Sequence, residues 1–531
     1  MVGDLGAATP REEANIRSDA QVTERRWWLV VAILALVGAV LVLLSTAKYG
    51  AGLSPDSVGY LDAARSLASG KGFGSLVWWP PLYPMLLAFV SFATGLAPTA
   101  FAHFVNAVLF ALVIYLSAQL LHPGSRRSVA YSLLGVCAVL FARPFSEVYA
   151  MAWSECLFIP LVLLYLIFAQ RYWGIGDVLS LAVMTLSTAL ACLTRYVGIA
   201  LVPAGVLTII LATGVHFRTR LTRACAFAAF SLAPLGLWAM RNHRLTGTFF
   251  GNRGPLQKTL ADSVKASAQA TLSWYVPAHG MAFIVLAGIA IALVAVISLR
   301  AVRERALSSL KAILSDHPSD LLFMMTYFVV LLVAAARDAV PESRTLSPIY
   351  VPATLVLMKL GLYLFGPTQS RTTAFASRAP LVLLALWLCF PLTSTARDTS
   401  GRLRDGAGGC NTKEWRESET VAYAKQKLCT NDHIPVYSNG PDILWALAGV
   451  SANWAPRKVY YGSTKPANEL GDLSGRWPSE GEAYLVWFKN KDRPWLFPVE
   501  ELAEIANVVE IARLSDGSIY KVSVRQTMAQ P

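Results

Sequence analysis

An acidic loop follows closely on the first long apolar segment of the chain. Segment 27–47 is apolar, and the residues Ser54-Pro55-Asp56-Ser57 come a few positions after it. Pro55 favours the first position of a helix and Ser54 favours its cap, so Asp56 is predicted in the first turn, where the helix dipole stabilises an anion. A carboxylate beside an apolar bundle is a candidate general base. The alternative is that Asp56 only stabilises the start of its helix.

Four further ionisable groups recur at the ends of predicted membrane spans. Glu155, Arg195, Arg241 and Arg344 all fall on the side of the membrane predicted for Asp56. For each arginine alone, extension of the long side chain toward the membrane interface is a sufficient explanation. Taken together, these carboxylates and arginines predict a cavity that holds a base and binds phosphate.

The elements that must position these groups are membrane-spanning helices. Of the 531 residues, 55% are hydrophobic and 15% are charged. Nearly uncharged stretches of about 17–22 residues recur, which is the length that a helix needs to cross the hydrocarbon core. The predicted spans are 27–47, 100–121, 127–142, 152–170, 176–193, 196–214, 222–240, 279–299, 320–336, 346–365 and 379–396. The shorter segment 82–95 is expected to re-enter the membrane or lie at its surface. The sequence therefore predicts a polytopic α-helical membrane protein with about eleven transmembrane helices.

Basic residues near the span ends predict the orientation. They collect on one side of the predicted bundle, at Arg25/Arg26, Arg126/Arg127, Arg218/Arg220/Arg223, Arg300/Arg303/Arg305/Lys311 and Arg371/Arg378. The positive-inside rule places that side in the cytoplasm, together with the tail 1–26, which lacks the pattern of a cleaved signal peptide. The loop 48–99 and the region 397–531 then face outward from a plasma or bacterial inner membrane. The net charge of +13 is explained by this edge and its attraction to anionic membrane lipids, and it does not indicate nucleic-acid binding.

The region 397–531 is predicted to form a small extracytoplasmic α/β domain. It begins with the glycine-rich run 406–409, which has the composition of a linker. The pattern predicts helices near 412–428, 442–448 and 498–511, and strands near 434–437, 458–461, 483–488 and 518–524. A disulfide between Cys410 and Cys429 is compatible with an oxidising compartment, but their spacing does not establish it.

Several motifs resemble those of one known family. The run Pro55-Asp56-Ser57-Val58-Gly59-Tyr60-Leu61-Asp62-Ala63-Ala64-Arg65, with Gly70-Lys71-Gly72-Phe73 and Pro80-Pro81-Leu82-Tyr83-Pro84, resembles the first outer loop of GT-C glycosyltransferases. The protein mannosyltransferase and aminoarabinose transferase-like branch is the most similar. The family's order continues in Ser154-Glu155-Cys156, Thr194-Arg195-Tyr196, Arg241-Asn242, Glu342-Ser343-Arg344 and Tyr437-Ser438-Asn439-Gly440-Pro441-Asp442. The similarity covers nearly the whole chain after about residue 25.

The resemblance implies an activity and a set of site residues. GT-C enzymes transfer a sugar from a polyprenyl phosphate to an acceptor on the outer face of the membrane, with inversion at the sugar carbon. Carried over to this chain, Asp56 matches the general base, and Arg344 matches a position near the lipid phosphate. The further candidate substrate-binding residues are Arg241, Arg195, Lys71, Tyr60, Tyr83 and Glu155. The identity of the sugar, and whether the acceptor is a glycan, a lipid or a protein, are left open.

One departure from the family concerns the residue after Asp56. The family often has an acidic pair at this position, whereas this chain has Asp56 followed by Ser57. The need for a divalent cation is therefore open, and Glu155 is the candidate to replace the second carboxylate.

Two other functions compete with the transferase. A lipid or glycolipid transporter would favour ionisable groups near the middle of the membrane and repeated halves, whereas these charges cluster at one face and no repeat is visible. A non-catalytic membrane anchor with an outer binding domain would leave the Asp56 loop unexplained.

Overall fold

The computed structural model describes residues 10–74, 76–122, 128–251, 259–276, 300–335, 341–365, 374–429, 434–461 and 464–525. A helical bundle, rich in apolar helices, is followed by a small domain that contains a five-stranded sheet. The predicted fold class, a polytopic helical membrane protein with a C-terminal α/β domain, is confirmed.

The described part of the bundle consists of helices joined by short turns. These are α1 (Pro10–Ser45), α2 (Pro55–Ala68), α3 (Leu82–Thr94), α4 (Pro98–Leu120), α5 (Val129–Leu140), α6 (Arg143–Ala150), α7 (Glu155–Ile175), α8 (Val178–Thr194), α9 (Leu201–Leu211), α10 (Phe217–Thr246), α11 (Leu260–Tyr275), α12 (Arg300–Asp316), α13 (Pro318–Ala335), α14 (Ser343–Leu346), α15 (Tyr350–Phe365) and α16 (Ala374–Asp405). Two 3-10 turns, Tyr196–Ala200 and Ser347–Ile349, lead into α9 and α15.

Within the described residues, seven helical segments are long and apolar enough to cross a membrane. They are Glu24–Ser45, Pro98–Leu120, Glu155–Ile175, Phe217–Thr246, Pro318–Ala335, Ser343–Leu364 and Pro380–Asp405. An eighth results if α5 and α6, which meet at 42°, form one span.

The remaining predicted spans have different outcomes. Segments 176–193 and 196–214 correspond to the shorter apolar helices Val178–Thr194 and Tyr196–Leu211. The predicted span 279–299 lies outside the described residues. Helix α3, with 13 residues, is too short to cross the hydrocarbon core, which agrees with the reading of segment 82–95.

Helices α2 and α3 share one apolar core with the C-terminal domain. Tyr60 of α2 and Tyr83 of α3 are buried in the same cluster as Trp415 and Phe488 of the C-terminal domain. This cluster fixes α2 between the bundle and the domain.

The polar face of α2 also contacts this domain. The indole Nε1 of Trp445 donates a hydrogen bond to Asp62 Oδ1 at 3.1 Å, and the guanidinium of Arg65 lies 4.2 Å from the centre of the same ring. A hydrogen bond and a cation–π contact therefore add to the apolar packing.

The last apolar helix is longer than predicted. Helix α16 continues past the predicted end at 396 to Asp405, and Arg402 and Arg404 lie in its last turn, where basic side chains stabilise the helix carboxyl end.

The glycine run 406–409, predicted to be a linker, is instead closely packed. Gly409 has φ +62°, and a Cβ atom there would lie 1.9 Å from the carbonyl oxygen of Leu53. Glycine composition marked a close backbone approach here rather than a flexible connection.

The C-terminal domain is built on a mixed sheet. Its strands are β1 (Val436–Ser438), β2 (Asn453–Trp454), β3 (Glu482–Phe488), β4 (Ala506–Arg513) and β5 (Gly517–Val524), in the order β2-β1-β3-β5-β4. Strand β1 runs parallel to β2 and β3, and β5 is antiparallel to both β3 and β4. Its helical segments are α17 (Lys413–Arg416), α18 (Glu419–Lys427), α19 (Pro441–Ile443, continued by the π-helical turn Leu444–Ala448), α20 (Leu470–Leu473) and α21 (Val499–Ile505).

Two predicted elements in this domain were wrong. The predicted helix 498–511 is helical only over Val499–Ile505 and continues as β4, where residues alternate between inward and outward positions. Its β-branched residues fit that strand. Residues 458–461 form no strand, and Val459 makes only an isolated bridge to Pro466.

Cys410 and Cys429 are not joined in a disulfide. Cys410 is buried beside the carbonyl group of Asp442, whereas Cys429 is exposed beside that of Gly449. Burial raises the pKa of the Cys410 thiol to about 12, so it is a neutral core group.

Candidate active site

Asp56 lies in the first turn of α2, as the sequence predicted. Ser54 caps the helix, and its Oγ accepts a hydrogen bond from the Ser57 backbone N–H. The Ser57 hydroxyl in turn accepts one from the Ser54 N–H, which completes a capping box. The helix start is thus stabilised by the two serines and by Pro55. The Asp56 side chain remains one-third exposed (33%), so its carboxylate is accessible.

Glu155 is the buried counterpart of Asp56. It is the first residue of α7 and is fully buried. Its Oε1 lies 2.6 Å from Arg195 Nη1, and Arg344 binds it through two nitrogens, Nε at 2.5 Å and Nη2 at 3.2 Å. A carboxylate without partners would be strongly destabilised at this depth, and the two arginines compensate for its burial.

Arg344 connects the two carboxylates. While Nε and Nη2 face Glu155, Nη1 lies 2.9 Å from Asp56 Oδ2. Two acids and two arginines, Arg195 being the second, therefore form a network without net charge. The predicted proximity of Asp56, Glu155, Arg195 and Arg344 is present in the structure, across helices that are far apart in sequence.

A tyrosine and a serine extend this network. The Tyr60 hydroxyl lies 3.0 Å from Ser154 Oγ, which also accepts a hydrogen bond from Arg195 Nη1 at 3.0 Å. Burial raises the pKa of Tyr60, and the negative charge of Asp56 raises it further, so the hydroxyl stays protonated. Tyr83 packs edge-on against Tyr60 with ring centres 5.4 Å apart, and its buried hydroxyl has no hydrogen-bond partner among the described residues.

Trp153 is a site residue that the sequence analysis did not single out. The Arg344 guanidinium lies 4.0 Å from the centre of its ring, and its Nε1 donates a hydrogen bond to Ser54 Oγ at 2.8 Å. The ring thus supports the arginine from one side and contacts the cap of α2. Its position directly before Ser154 and Glu155 was the available signal.

Two predicted substrate-binding residues lie outside this network. Arg241 donates hydrogen bonds to the carbonyl groups of Leu76 and Gly74 at 2.9 and 3.3 Å, and its guanidinium lies 4.4 Å from the centre of the Trp238 ring. It therefore holds the loop between α2 and α3. Lys71 is exposed on the same loop, and no described ion pair joins it to Asp56 or Glu155.

The network brings two carboxylates, those of Asp56 and Glu155, to the same arginine. In the described ranges, no three histidine, cysteine, aspartate or glutamate side chains stand close enough to hold a metal ion together. The positive charge of Arg344 already lies between Asp56 and Glu155, and it would repel a cation. Ser57 serves the capping box and supplies no second carboxylate.

Solved structures show where this architecture occurs. ArnT from Cupriavidus metallidurans in the apo state matches with a TM-score of 0.60 and 12% identity, over 94% of this chain and 98% of that one. The same protein bound to undecaprenyl phosphate matches with a TM-score of 0.55 and 14% identity, over 93% of this chain and 98% of that one. A third match is AglB, an oligosaccharyltransferase from Archaeoglobus fulgidus, in complex with an inhibitory peptide and a dolichol-phosphate. It has a TM-score of 0.55 and 11% identity, over 96% of this chain and 75% of AglB.

The arabinofuranosyltransferase AftD from Mycobacteria matches at a TM-score of 0.50 and 13% identity, over 94% of this chain but only 40% of AftD. No protein-family model and no curated protein sequence matches the chain. The chain therefore has the fold of the GT-C glycosyltransferases, which confirms the fold implied by the sequence resemblance.

Proposed function

We propose that this chain is a membrane glycosyltransferase that moves a monosaccharide from a polyprenyl-phosphate donor to an acceptor at the outer face of the membrane. The fold supports this proposal, and so do the undecaprenyl phosphate bound to ArnT and the dolichol-phosphate bound to AglB. The observation that carries it is the Asp56 carboxylate, which is accessible and held by Arg344 at the edge of a buried charge network.

Asp56 is the proposed general base. An acceptor hydroxyl attacks the sugar carbon that is bonded to the phosphate, the carbon–oxygen bond to the phosphate breaks, and the acceptor proton passes to the Asp56 carboxylate. Attack opposite the departing phosphate inverts the sugar carbon. The contact between Asp56 and Arg344 fixes one carboxylate oxygen, Oδ2, and orients the carboxylate toward the reacting atoms.

Arg344 is the proposed contact for the donor phosphate. Glu155 engages Nε and Nη2, and Trp153 packs against the guanidinium plane, so the arginine is oriented before substrate arrives. A guanidinium has more N–H donors than these carboxylates use, and the remaining ones are available to phosphate oxygens. Fixed donors of this kind stabilise the charge that develops on a departing phosphate.

The remaining candidates have supporting roles in this proposal. Arg195 contacts Glu155 at 2.6 Å and adds positive charge near the proposed phosphate position. Tyr60 and Tyr83 pack edge-on against each other in the apolar cluster shared with the C-terminal domain. Arg241 shapes the loop that carries Lys71, and the exposed Lys71 is the proposed contact for an anionic part of the donor.

The direct test replaces Asp56 with asparagine. Asp56→Asn keeps the size of the side chain and an oxygen that can face Arg344, but it removes the proton-accepting charge. We expect folded protein with retained donor binding and a transfer rate lowered by about 10²–10⁴-fold. Transfer is followed in vesicles that contain radiolabelled polyprenyl-phosphate sugars extracted from the source cells.

The matched control is Asp62→Asn, on the same helix. Asp62 is exposed and accepts a single described hydrogen bond, from Trp445, so its replacement should change the rate by less than about threefold. An Asp56→Asn protein that turns over as fast as the Asp62→Asn protein would reject Asp56 as the base and leave it as a helix-start residue.

The proposed orientation has its own test. Cys429 is exposed in the C-terminal domain, and residue 18 belongs to the predicted cytoplasmic tail. A membrane-impermeant maleimide should label Cys429 in intact cells, whereas a Ser18→Cys variant that also carries Cys429→Ser should be labelled at residue 18 only after permeabilisation. Labelling of both from outside would contradict the proposed inward N-terminus.

A further inference from the structure

Two short segments, 49–53 and 149–152, are joined by a backbone bridge shortly before the two acids. The segment 49–53 precedes the Asp56 helix, and the segment 149–152 precedes Glu155. Gly52 donates a backbone hydrogen bond to the Ala150 carbonyl at 2.8 Å, and its own carbonyl accepts one from Ala152 N–H at 3.0 Å. This is a parallel bridge. The backbones that carry Asp56 and Glu155 are therefore joined to each other a few residues before the acids.

A third segment, from the C-terminal domain, pairs with the opposite edge of 49–53. Leu53 N–H donates to the Gly408 carbonyl at 3.2 Å, and Cys410 N–H donates to the Leu53 carbonyl at 2.8 Å. This is also a parallel bridge, between Leu53 and Gly409. The three segments together form a small parallel platform beneath the charge network.

Asn411 fixes one edge of this platform. Its buried Nδ2 donates to the carbonyl groups of Tyr49 and Ala51, at 2.7 and 2.8 Å. Its Oδ1 accepts two hydrogen bonds from the Arg416 guanidinium, Nε at 3.1 Å and Nη2 at 2.8 Å. The amide is thus oriented by Arg416, and both of its donors are used on alternate carbonyl groups of one segment.

Asn106 of α4 holds the segment 149–152 in a similar way. Its Nδ2 donates to the carbonyl groups of Tyr149 and Met151, at 3.1 and 2.7 Å, and the residue is fully buried. Each of the two acid-bearing segments is therefore held by one buried asparagine that bonds carbonyl groups two residues apart.

We propose that Asn411 and Asn106 are positioning residues for the reaction, and that the C-terminal domain thereby supplies part of the platform that sets the separation of Asp56 and Glu155. This inference rests on the proposed transferase function. Arg344 Nη1 lies 2.9 Å from Asp56 Oδ2, and Arg344 Nε lies 2.5 Å from Glu155 Oε1. One guanidinium can contact both carboxylates only when the distance between them matches its own width. A displacement of about 1 Å in catalytic groups is enough to lower a rate by about 10²-fold.

Asn439 provides a matched control within the same domain. It too is fully buried, donates through Nδ2 to two carbonyl groups, those of Phe488 and Lys491, and accepts from the Phe488 N–H. These bonds connect the end of β1 to the end of β3, away from the acid-bearing segments. Its loss should weaken the domain without moving Asp56.

The test compares Asn411→Asp with Asn439→Asp. Aspartate has the same size but no N–H donors, so each variant loses both bonds to carbonyl groups. We expect Asn411→Asp to lower kcat by about 10–100-fold while the donor KM changes by less than about threefold. Asn439→Asp should lower the melting temperature and leave kcat per folded molecule unchanged. Asn106→Asp should resemble Asn411→Asp, and Asn411→Ala serves if the aspartate variant does not fold.

Hydrogen exchange separates a failure of this inference from a failure of the proposed function. In Asn411→Asp, the backbone amides of 49–56 and 149–155 should exchange faster, whereas in Asn439→Asp they should match the unmodified protein. Unchanged exchange, or a kcat equal to that of Asn439→Asp, would overturn the positioning role. If exchange is faster in Asn411→Asp but the unmodified protein transfers no sugar, the platform is supported and the proposed transferase function is rejected.

Discussion

Two aspartate–arginine pairs among the described residues differ in how far their aspartates are exposed. Arg344 lies 2.9 Å from Asp56 at the bundle, and Arg493 lies 2.9 Å from Asp442 in the C-terminal domain. The Asp442 and Arg493 side chains are only 3% and 7% exposed, whereas Asp56 is 33% exposed. The same ion pair is therefore closed in one region and accessible in the other.

The partners of the two arginines explain this difference. Arg493 uses one nitrogen, Nη2, to contact both oxygens of Asp442, at 2.9 and 3.2 Å, so each oxygen of this aspartate faces the arginine. Arg344 gives two nitrogens to Glu155 and a single contact to Asp56. Both guanidiniums also lie over tryptophan rings, Trp454 at 4.3 Å and Trp153 at 4.0 Å.

A third group thus changes the role of the pair. Glu155 takes two of the contacts of Arg344, whereas Asp56 contacts Arg344 through one oxygen, Oδ2, and stays one-third exposed. An oriented and accessible carboxylate is suited to accept a proton, whereas the enclosed pair is suited to hold a domain together. Four substitutions test this contrast.

The largest effect is expected from Glu155→Gln. The change leaves Arg195 and Arg344 facing each other without the buried charge that both contact. Removing one partner of a buried charge network lowers the free energy of unfolding by about 3–5 kcal/mol. Thermal unfolding in detergent measures the loss, and transfer activity should disappear with it. A stable, active Glu155→Gln enzyme would show that Glu155 does not organise the site.

Arg344→Lys should have the next largest effect. Lysine keeps the charge, but it cannot contact Glu155, Asp56 and a phosphate with a planar fork. We expect kcat/KM for the lipid donor to fall by about 10–100-fold, a loss of roughly 1.4–2.7 kcal/mol in transition-state binding. Donor kinetics equal to those of the unmodified enzyme would indicate that Arg344 only extends toward the interface.

Asp442→Asn should affect stability and not the rate. Asparagine still accepts a hydrogen bond, so the free energy of unfolding should fall by about 1–3 kcal/mol as the buried Arg493 loses its counter-charge. Initial transfer rates, normalised to folded protein, should stay within twofold of the unmodified enzyme. A fall as large as that of Asp56→Asn would show that the closed pair also contributes to the reaction.

The smallest effect is expected from Trp445→Leu. This ring connects the C-terminal domain to Asp62 and Arg65 at the surface of α2, through one hydrogen bond and one cation–π contact. Exposed contacts of this kind contribute about 0.5–1 kcal/mol. Chemical denaturation should reveal a shift of that size, and a larger one would mean that the packing of this ring against the shared apolar core contributes more than its two polar contacts.

Local signals explain what the sequence predicted well. Ser54 and Pro55 define the start of α2 within a few residues, and the position of Asp56 in the first turn follows from them. Long apolar segments predict helices because a membrane leaves few alternatives for the backbone. The side of the bundle on which Glu155 and Arg344 meet was likewise predictable from span ends.

Pairing between distant segments was not predictable from one sequence. Arg344 and Glu155 are 189 positions apart, and nothing local indicates that one guanidinium bridges two acids. The glycine run 406–409 has two physical meanings, a flexible connection or a close backbone approach, and composition alone favours the first. Residues 506–511 were predicted as helix because they follow a helical start, whereas their pairing with β5 makes them a strand.

The platform beneath the acids also has a consequence for biosynthesis. Asn411 and Tyr49 are 362 positions apart, so the segments that hold Asp56 and Glu155 are synthesised and inserted long before the segment that completes the platform. Contacts of such sequence separation form late, after the intervening chain has folded. A growing chain would carry both acids in an incomplete arrangement, and the proposed transfer activity would begin only once the C-terminal domain had docked.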